Sequence, residues 1–228
     1  MNRRKLLTGI STSVFLGVGG CLETGNSWLG DNSGNSEDDV PDCMQKDEWN
    51  SDIDKGPKNP DPTSIAGRYD CSSARRPEPT GDVCTTFTPV ISGEERTIHS
   101  DGVEPYPDPP DSFDQDTVVS YVYRYESSYF HNSMVEKYRD ELTHAGLRVE
   151  EDETRIEKTK DGITIIYIRF FNGTGTITDG KYPAAGDGAG AAAYGVDETG
   201  IVRAGTKYSV SDKEMPDPVE NGTLLECF

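Results

Sequence analysis

The sequence predicts an α+β domain in which one or two helices pack on a four-stranded antiparallel sheet. Three observations carry this reading: a helical spacing of apolar residues between residues 112 and 146, an Asp161-Gly162 dipeptide between two β-rich runs, and a second hairpin pattern around residues 197–200. Helices followed by strands that pair through short turns favour an antiparallel sheet with a helix laid across one face.

The helical segment follows an extended, proline-rich entry, Tyr106-Pro107-Asp108-Pro109-Pro110. Ser112 and Gln115 have capping-box spacing, in which the hydroxyl accepts the third helical amide and the Gln side chain answers the cap. Val118, Val122, Tyr125 and Tyr129 follow at steps of four, three and four, one face of an α-helix. The phase breaks at His131-Asn132. Ser133 and Glu136 have the spacing of a second capping box, after which Val135, Tyr138, Leu142 and Ala145 resume the helical pattern until Gly146 stops it.

Strands follow. Residues 154–159 and 163–171 flank Asp161-Gly162, a pair that tolerates the positive φ of a tight hairpin. The second run is apolar on both faces, which places it inside the sheet. Residues 191–196 and 201–204 form another hairpin pattern around Asp197-Glu198-Thr199-Gly200, with 207–210 as an extension. Residues 172–190 read as a glycine-rich loop. Its Gly186-Asp187-Gly188-Ala189-Gly190 lacks the strand-before, helix-after setting of a phosphate-cradling loop. This order of elements resembles the small cystatin-like and nuclear-transport-factor-like sheets, a likeness of architecture that implies no activity.

The first twenty residues stand apart from the fold. Arg3, Arg4 and Lys5 precede the mildly apolar Leu6 to Gly20, the layout of a secretory signal. An h-region of that length spans about 22 Å as a helix, too little for a ~30 Å hydrocarbon core. Val18-Gly19-Gly20-Cys21 resembles the lipobox of prokaryotic lipoproteins, and Asn2-Arg3-Arg4-Lys5-Leu6-Leu7 resembles a twin-arginine export signal. These resemblances imply lipid attachment at Cys21, export read through Arg3 and Arg4, and anchorage at the extracellular face of the cell membrane.

Charge bears on the same question. The 228 residues carry a net charge of −19, which excludes a nucleic-acid partner bound through a basic footprint. Loss of residues 1–20 removes three cations and no acid, leaving −22. Molar salt shortens the Debye length to about 3 Å and makes such a surface tolerable. An acidic chain behind these two signals, with Tyr106 to Pro110 leading into a helix, resembles the twin-arginine-exported lipoproteins of halophilic archaea. The expected organisation is then a signal peptide (1–20), a lipidated N-terminus and acidic tether (21–66), an extended cysteine- and proline-rich segment (67–110), the α+β domain (111–210) and a C-terminal tail (211–228). The tether region is crowded with Asn, Asp, Ser, Gly and Pro and has too few periodic apolar residues to offset its ordering entropy.

Of five cysteines, Cys21 is assigned to lipid. Cys43, Cys71, Cys84 and Cys227 form an even set without a C-x-x-C pair, the pattern of two disulfides outside the reducing cytosol. Three connectivities satisfy it; Cys71 with Cys84 closes the shortest loop and leaves Cys43 to pin the C-terminus through Cys227. Asn172-Gly173-Thr174 and Asn221-Gly222-Thr223 are glycosylation sequons.

Catalytic signals are sparse. His99, His131 and His144 are not at metal-ligand spacing, no serine lies in a nucleophile elbow, and Cys84 and Cys227 lack the nearby His and Met of a copper carrier. Asn50, Asp52, Asp54 and Asp61 approach a calcium loop, but Lys55 occupies the turn position that needs glycine. His131 at the helix break suggests a pocket with Tyr129 and Arg169. Neither a metal nor a cofactor is expected. The expected function is a non-enzymatic envelope module binding an envelope protein or a small ligand; the alternative is a membrane-tethered hydrolase or substrate-binding subunit.

Overall fold

Asp114, two residues beyond the expected capping position, starts the main helix. Its carboxylate accepts the Thr117 N–H at 3.1 Å and the Ser112 hydroxyl. These bonds, that of Ser112 foremost, hold its pKa down at about 2. The computed structural model describes residues 56–80, 85–211 and 214–228. Within it α1 is Ile65–Arg68, α2 is Gln115–Tyr138 and α3 is Pro218–Asn221.

α2 is one continuous helix of 24 residues, without the expected break. The polar residues that interrupt its apolar phase face a neighbouring stretch of chain. Asn132 accepts the Glu104 N–H at 2.9 Å and donates to the Glu104 carbonyl at 2.8 Å, matching both backbone groups of one residue. Ser128 donates to the Pro105 carbonyl at 3.0 Å, and His131 Nε2 lies 2.8 Å from the Gly102 carbonyl. Ser133 does not cap a second helix but donates back to the Tyr129 carbonyl at 2.7 Å. Helix α2 ends at Arg139, whose φ of +50° leaves the helical region. Leu142 and Ala145, read from sequence as helical, belong instead to a strand, because tertiary pairing there overrides the local period.

Six antiparallel strands form the main sheet: β5 Leu142–Val149, β6 Arg155–Lys158, β7 Thr164–Thr178, β8 Tyr182–Asp197, β9 Gly200–Lys207 and β10 Thr223–Cys227. The order is β10-β9-β8-β7-β5. Strand β6 shares a flank of β7 with β5, pairing along residues 164–167 where β5 pairs along 170–176. The α+β class holds, but the sheet is six-stranded and open, not the four-stranded cystatin-like arrangement. Two short ribbons precede α2: β1 Thr86–Phe87 pairs with β4 Ile98–His99, and β2 Val90–Ile91 pairs with β3 Glu94–Glu95. Residues 223–227, placed in a C-terminal tail from sequence, are the edge strand β10.

The expected loop at 172–190 is also sheet. β7 and β8 continue through it as a long hairpin closed at Asp179 and Gly180, whose φ values are +52° and +65°. The glycines there make room for neighbours. A Cβ at Gly190 would lie 2.6 Å from Cζ of Phe170, and one at Gly188 would lie 2.6 Å from Oδ1 of Asn172. Both side chains therefore lie flat across the adjacent strand, a use of strand glycine that sequence composition reads as loop.

One face of α2 buries Val118, Tyr121, Val122 and Tyr125 against Ile166, Ile168, Phe170, Ala192, Tyr194, Val196, Ile201 and Leu225. Each fully buried large side chain there contributes about 1.5–3 kcal/mol. The reverse face at the β9 end is covered by Ile65, Ala66 and Val219, packed on Ile163, Val202 and Leu224. Ile65 and Ala66, which the sequence assigns to the tether, are thus core residues. Asp197 accepts the Ile65 N–H at 2.8 Å, Thr199 the Ala66 N–H at 3.0 Å, and the Leu224 carbonyl the Arg75 N–H at 2.9 Å. Tyr69 donates to the Val219 carbonyl at 2.7 Å, so residues 65–75 form a strap across the last strands.

Candidate functional site

Strand β8 is longer than the strand beside it. β7 accompanies it from Tyr182 to Val196, whereas β9 pairs only with Gly190 through Asp197. The outer side of residues 182–189 therefore has no partner strand among the described residues. The Gly186 carbonyl lies toward β7, where the Thr174 hydroxyl approaches it at 3.4 Å. Because backbone groups alternate sides along a strand, the N–H and C=O of Ala185, Asp187 and Ala189 point outward. Pro183 shares that side, the position where a strand tolerates a residue with no N–H. Residues 183–187 are exposed, and their side chains are too small to shield the backbone. Asp187 is the one charge between residues 182 and 189. An open edge of this kind is a template for another extended chain.

The face of the sheet opposite α2 carries cations over aromatic rings. Arg148 lies over Phe171 at 5.5 Å and Arg155 over Tyr167 at 4.0 Å, while Phe171 meets Tyr208 at 5.2 Å. Arg169 donates to the carbonyls of Tyr208 and Val210 and pairs with Glu153 at 3.3 Å, clipping the chain after β9 to the sheet. The Tyr208 hydroxyl donates to Glu150 at 2.5 Å.

Two ion pairs are buried between α2 and the sheet. Glu126 is 1% exposed and accepts Nε and Nη2 of Arg203, both at 2.7 Å, and the Tyr194 hydroxyl besides. The guanidinium also lies 4.3 Å from the Tyr129 ring centre. Burial, reinforced by Glu126, raises the Tyr194 pKa well above its ordinary value and keeps it a donor. In the second pair Arg76 Nη1 stands 2.5 Å from Glu226, with Tyr106 under the guanidinium at 4.4 Å. Burial raises the Glu226 pKa against the pull of Arg76. Both clusters satisfy their own hydrogen bonds, which suits fixing the seat of a helix better than receiving a substrate.

The sequence-derived candidates disperse in three dimensions. His131 is engaged by the Gly102 carbonyl and lies 3.6 Å from Glu104, Tyr129 belongs to the Arg203 cluster, and Arg169 is on the opposite face of the sheet, so the expected pocket does not form. His99 lies 3.1 Å from the Thr86 hydroxyl, and His144 stands on β5. Among the described residues no group of three or more His, Cys, Asp or Glu is placed to hold a metal. A polar cavity of about 270 Å³ lies between Glu78, Pro79, Thr80, Val135, Glu136 and Arg139. That is below the usual range for a drug-sized ligand.

Cys71 is bonded to Cys227, one of the pairs the sequence left open, so the shortest loop, Cys71 with Cys84, is not the one formed. Short loop length misled because the strap carries Cys71 across the sheet to β10. Cys21, Cys43 and Cys84 lie outside the described residues, as do Arg3 and Arg4 and the Asn50–Asp54 pattern. Among the described residues no helix is long and apolar enough to cross a membrane. Asn172 sits in the middle of β7, and Asn221 is exposed at the end of α3.

Sequence reasoning missed both the edge and the buried pairs. Glu126 did leave a signal, four residues after Val122 on the apolar face of the helix. Arg203 left another, sharing the inward parity of Ile201 on β9. Comparison with protein-family models, with curated proteins and with solved structures gives no match.

Proposed function

We propose that the chain is a lipid-anchored extracellular protein whose folded domain is a non-enzymatic binding module, engaging another envelope protein by strand addition along β8. The observation that carries the binding part is the open backbone edge at residues 183–189, with outward donors and acceptors and no bulky side chain among those residues. Strand addition draws affinity from main-chain hydrogen bonds and specificity from alternate side chains. The segment it takes is extended and neutral or basic, because a processed chain of net charge −22 disfavours acidic partners, a second copy of itself included. Anchorage rests on Cys21 and the small residues before it. A durable attachment requires two acyl chains on that residue, since one alone holds only marginally.

Two experiments test the two halves. In the native host, Cys21→Ser protein should leave the membrane fraction, either as uncleaved precursor or as protein shed to the medium; normal processing and retention would refute the anchor. A photo-crosslinking residue at position 187 should give one discrete adduct, and Ala185→Pro with Ala189→Pro, which removes two outward N–H donors, should abolish it while the purified domain keeps its melting temperature. No adduct, or one indifferent to the prolines, would refute strand addition.

A further inference from the structure

The two Asn-Gly-Thr sequons occupy opposite environments. Asn172 is in the interior of β7, paired through Leu147 with β5 on one side and through Gly188 with β8 on the other. Its carboxamide lies across Gly188, where a Cβ would come within 2.6 Å of Oδ1 and 3.4 Å of Nδ2. The Thr174 hydroxyl of the same sequon is turned to the Gly186 carbonyl at 3.4 Å. The amide is part-exposed, but a transferase that takes the sequon as an unpaired loop would have to part the strands. Asn221 ends α3 and is exposed, and Thr223 is exposed at the start of β10. Between them the chain turns so closely that a Cβ on Gly222 would lie 2.2 Å from the Pro218 carbonyl oxygen. The Asn221 amide makes one long bond, 3.3 Å to the Asp217 carbonyl, which is easily exchanged for another partner.

We infer that Asn221 carries an N-linked glycan and that Asn172 does not. The inference rests on the extracellular reading above. In the transfer, Asn221 Nδ2 attacks the anomeric carbon of a lipid-phosphate-linked sugar. The C–N bond forms as the anomeric C–O bond breaks, the lipid phosphate departs, and the amide proton passes to a base of the transferase.

The test is glycopeptide mass spectrometry of the full chain from a host that glycosylates exported proteins, with protease accessibility on intact cells measured in parallel. Wild type and Asn172→Gln should carry the same glycan mass, whereas Asn221→Gln and Thr223→Ala should lose it completely and Thr223→Ser should keep it. A glycan on Asn172, or none on a chain that protease reaches from outside, overturns the assignment and leaves export intact. An unmodified chain that protease cannot reach overturns both.

Discussion

Replacing Glu126 by alanine should lower the free energy of unfolding by about 3–5 kcal/mol, because it strands a guanidinium inside the protein. Both carboxylate oxygens of Glu126 are used by Arg203, and the Tyr194 hydroxyl loses its acceptor as well. The loss is a large share of the 5–15 kcal/mol that ordinary domains possess. Denaturant unfolding of the two proteins measures it directly. The double change Glu126→Leu with Arg203→Met should recover most of the deficit, since apolar groups of similar volume leave no charge to desolvate. A single-variant loss below about 1 kcal/mol would mean that water reaches the pair and that it is worth no more than a surface bridge.

The second large effect belongs to the bond between Cys71 and Cys227, which joins residues 156 apart. Converting both to alanine should cost about 2–5 kcal/mol, chiefly through the freedom returned to the unfolded chain. Cys227 is fully buried at the end of the edge strand β10, so the loss should be local as well as global. Hydrogen exchange at the amides of Leu224 and Leu225 should rise more than at those of Ile166 and Ile168 in the middle of the sheet. Equal melting temperatures for the bonded and alanine forms would remove the bridge from the list of stabilising features.

Local rules served this sequence well wherever one element decided its own conformation. The four-three-four spacing of Val118, Val122, Tyr125 and Tyr129 found the face of α2, the Asp161-Gly162 turn found the β6–β7 connection, and the two-sided apolar run of 163–171 identified an interior strand. They misjudged wherever a distant partner decided. Leu142 and Ala145 satisfied a helical period but are held by β7. Glycines at 186, 188 and 190 looked like loop because their reason for being small, the side chains of Thr174, Asn172 and Phe170 lying over them, sits on another strand. Asn132 looked like a helix break because the residue whose backbone it binds, Glu104, lies 28 residues earlier. The same blindness hid the candidate site: an edge exists only through the absence of a neighbour, and the lengths of β8 and β9 had to be compared in register before it could be seen.

The strap of residues 65–75 also sets an order of assembly. Strands β6 to β9 connect through turns of a few residues, so each hairpin closes a short loop and forms early. The strap's bonds to Asp197 and Thr199 span 132 and 133 residues, and none has a site to dock on until the strands are in place. The thiol of Cys71 consequently meets that of Cys227 only after the sheet is built. The strap should be the last described part to fold, and a destabilised β10 should slow the final closing step while leaving the hairpins as quick as before.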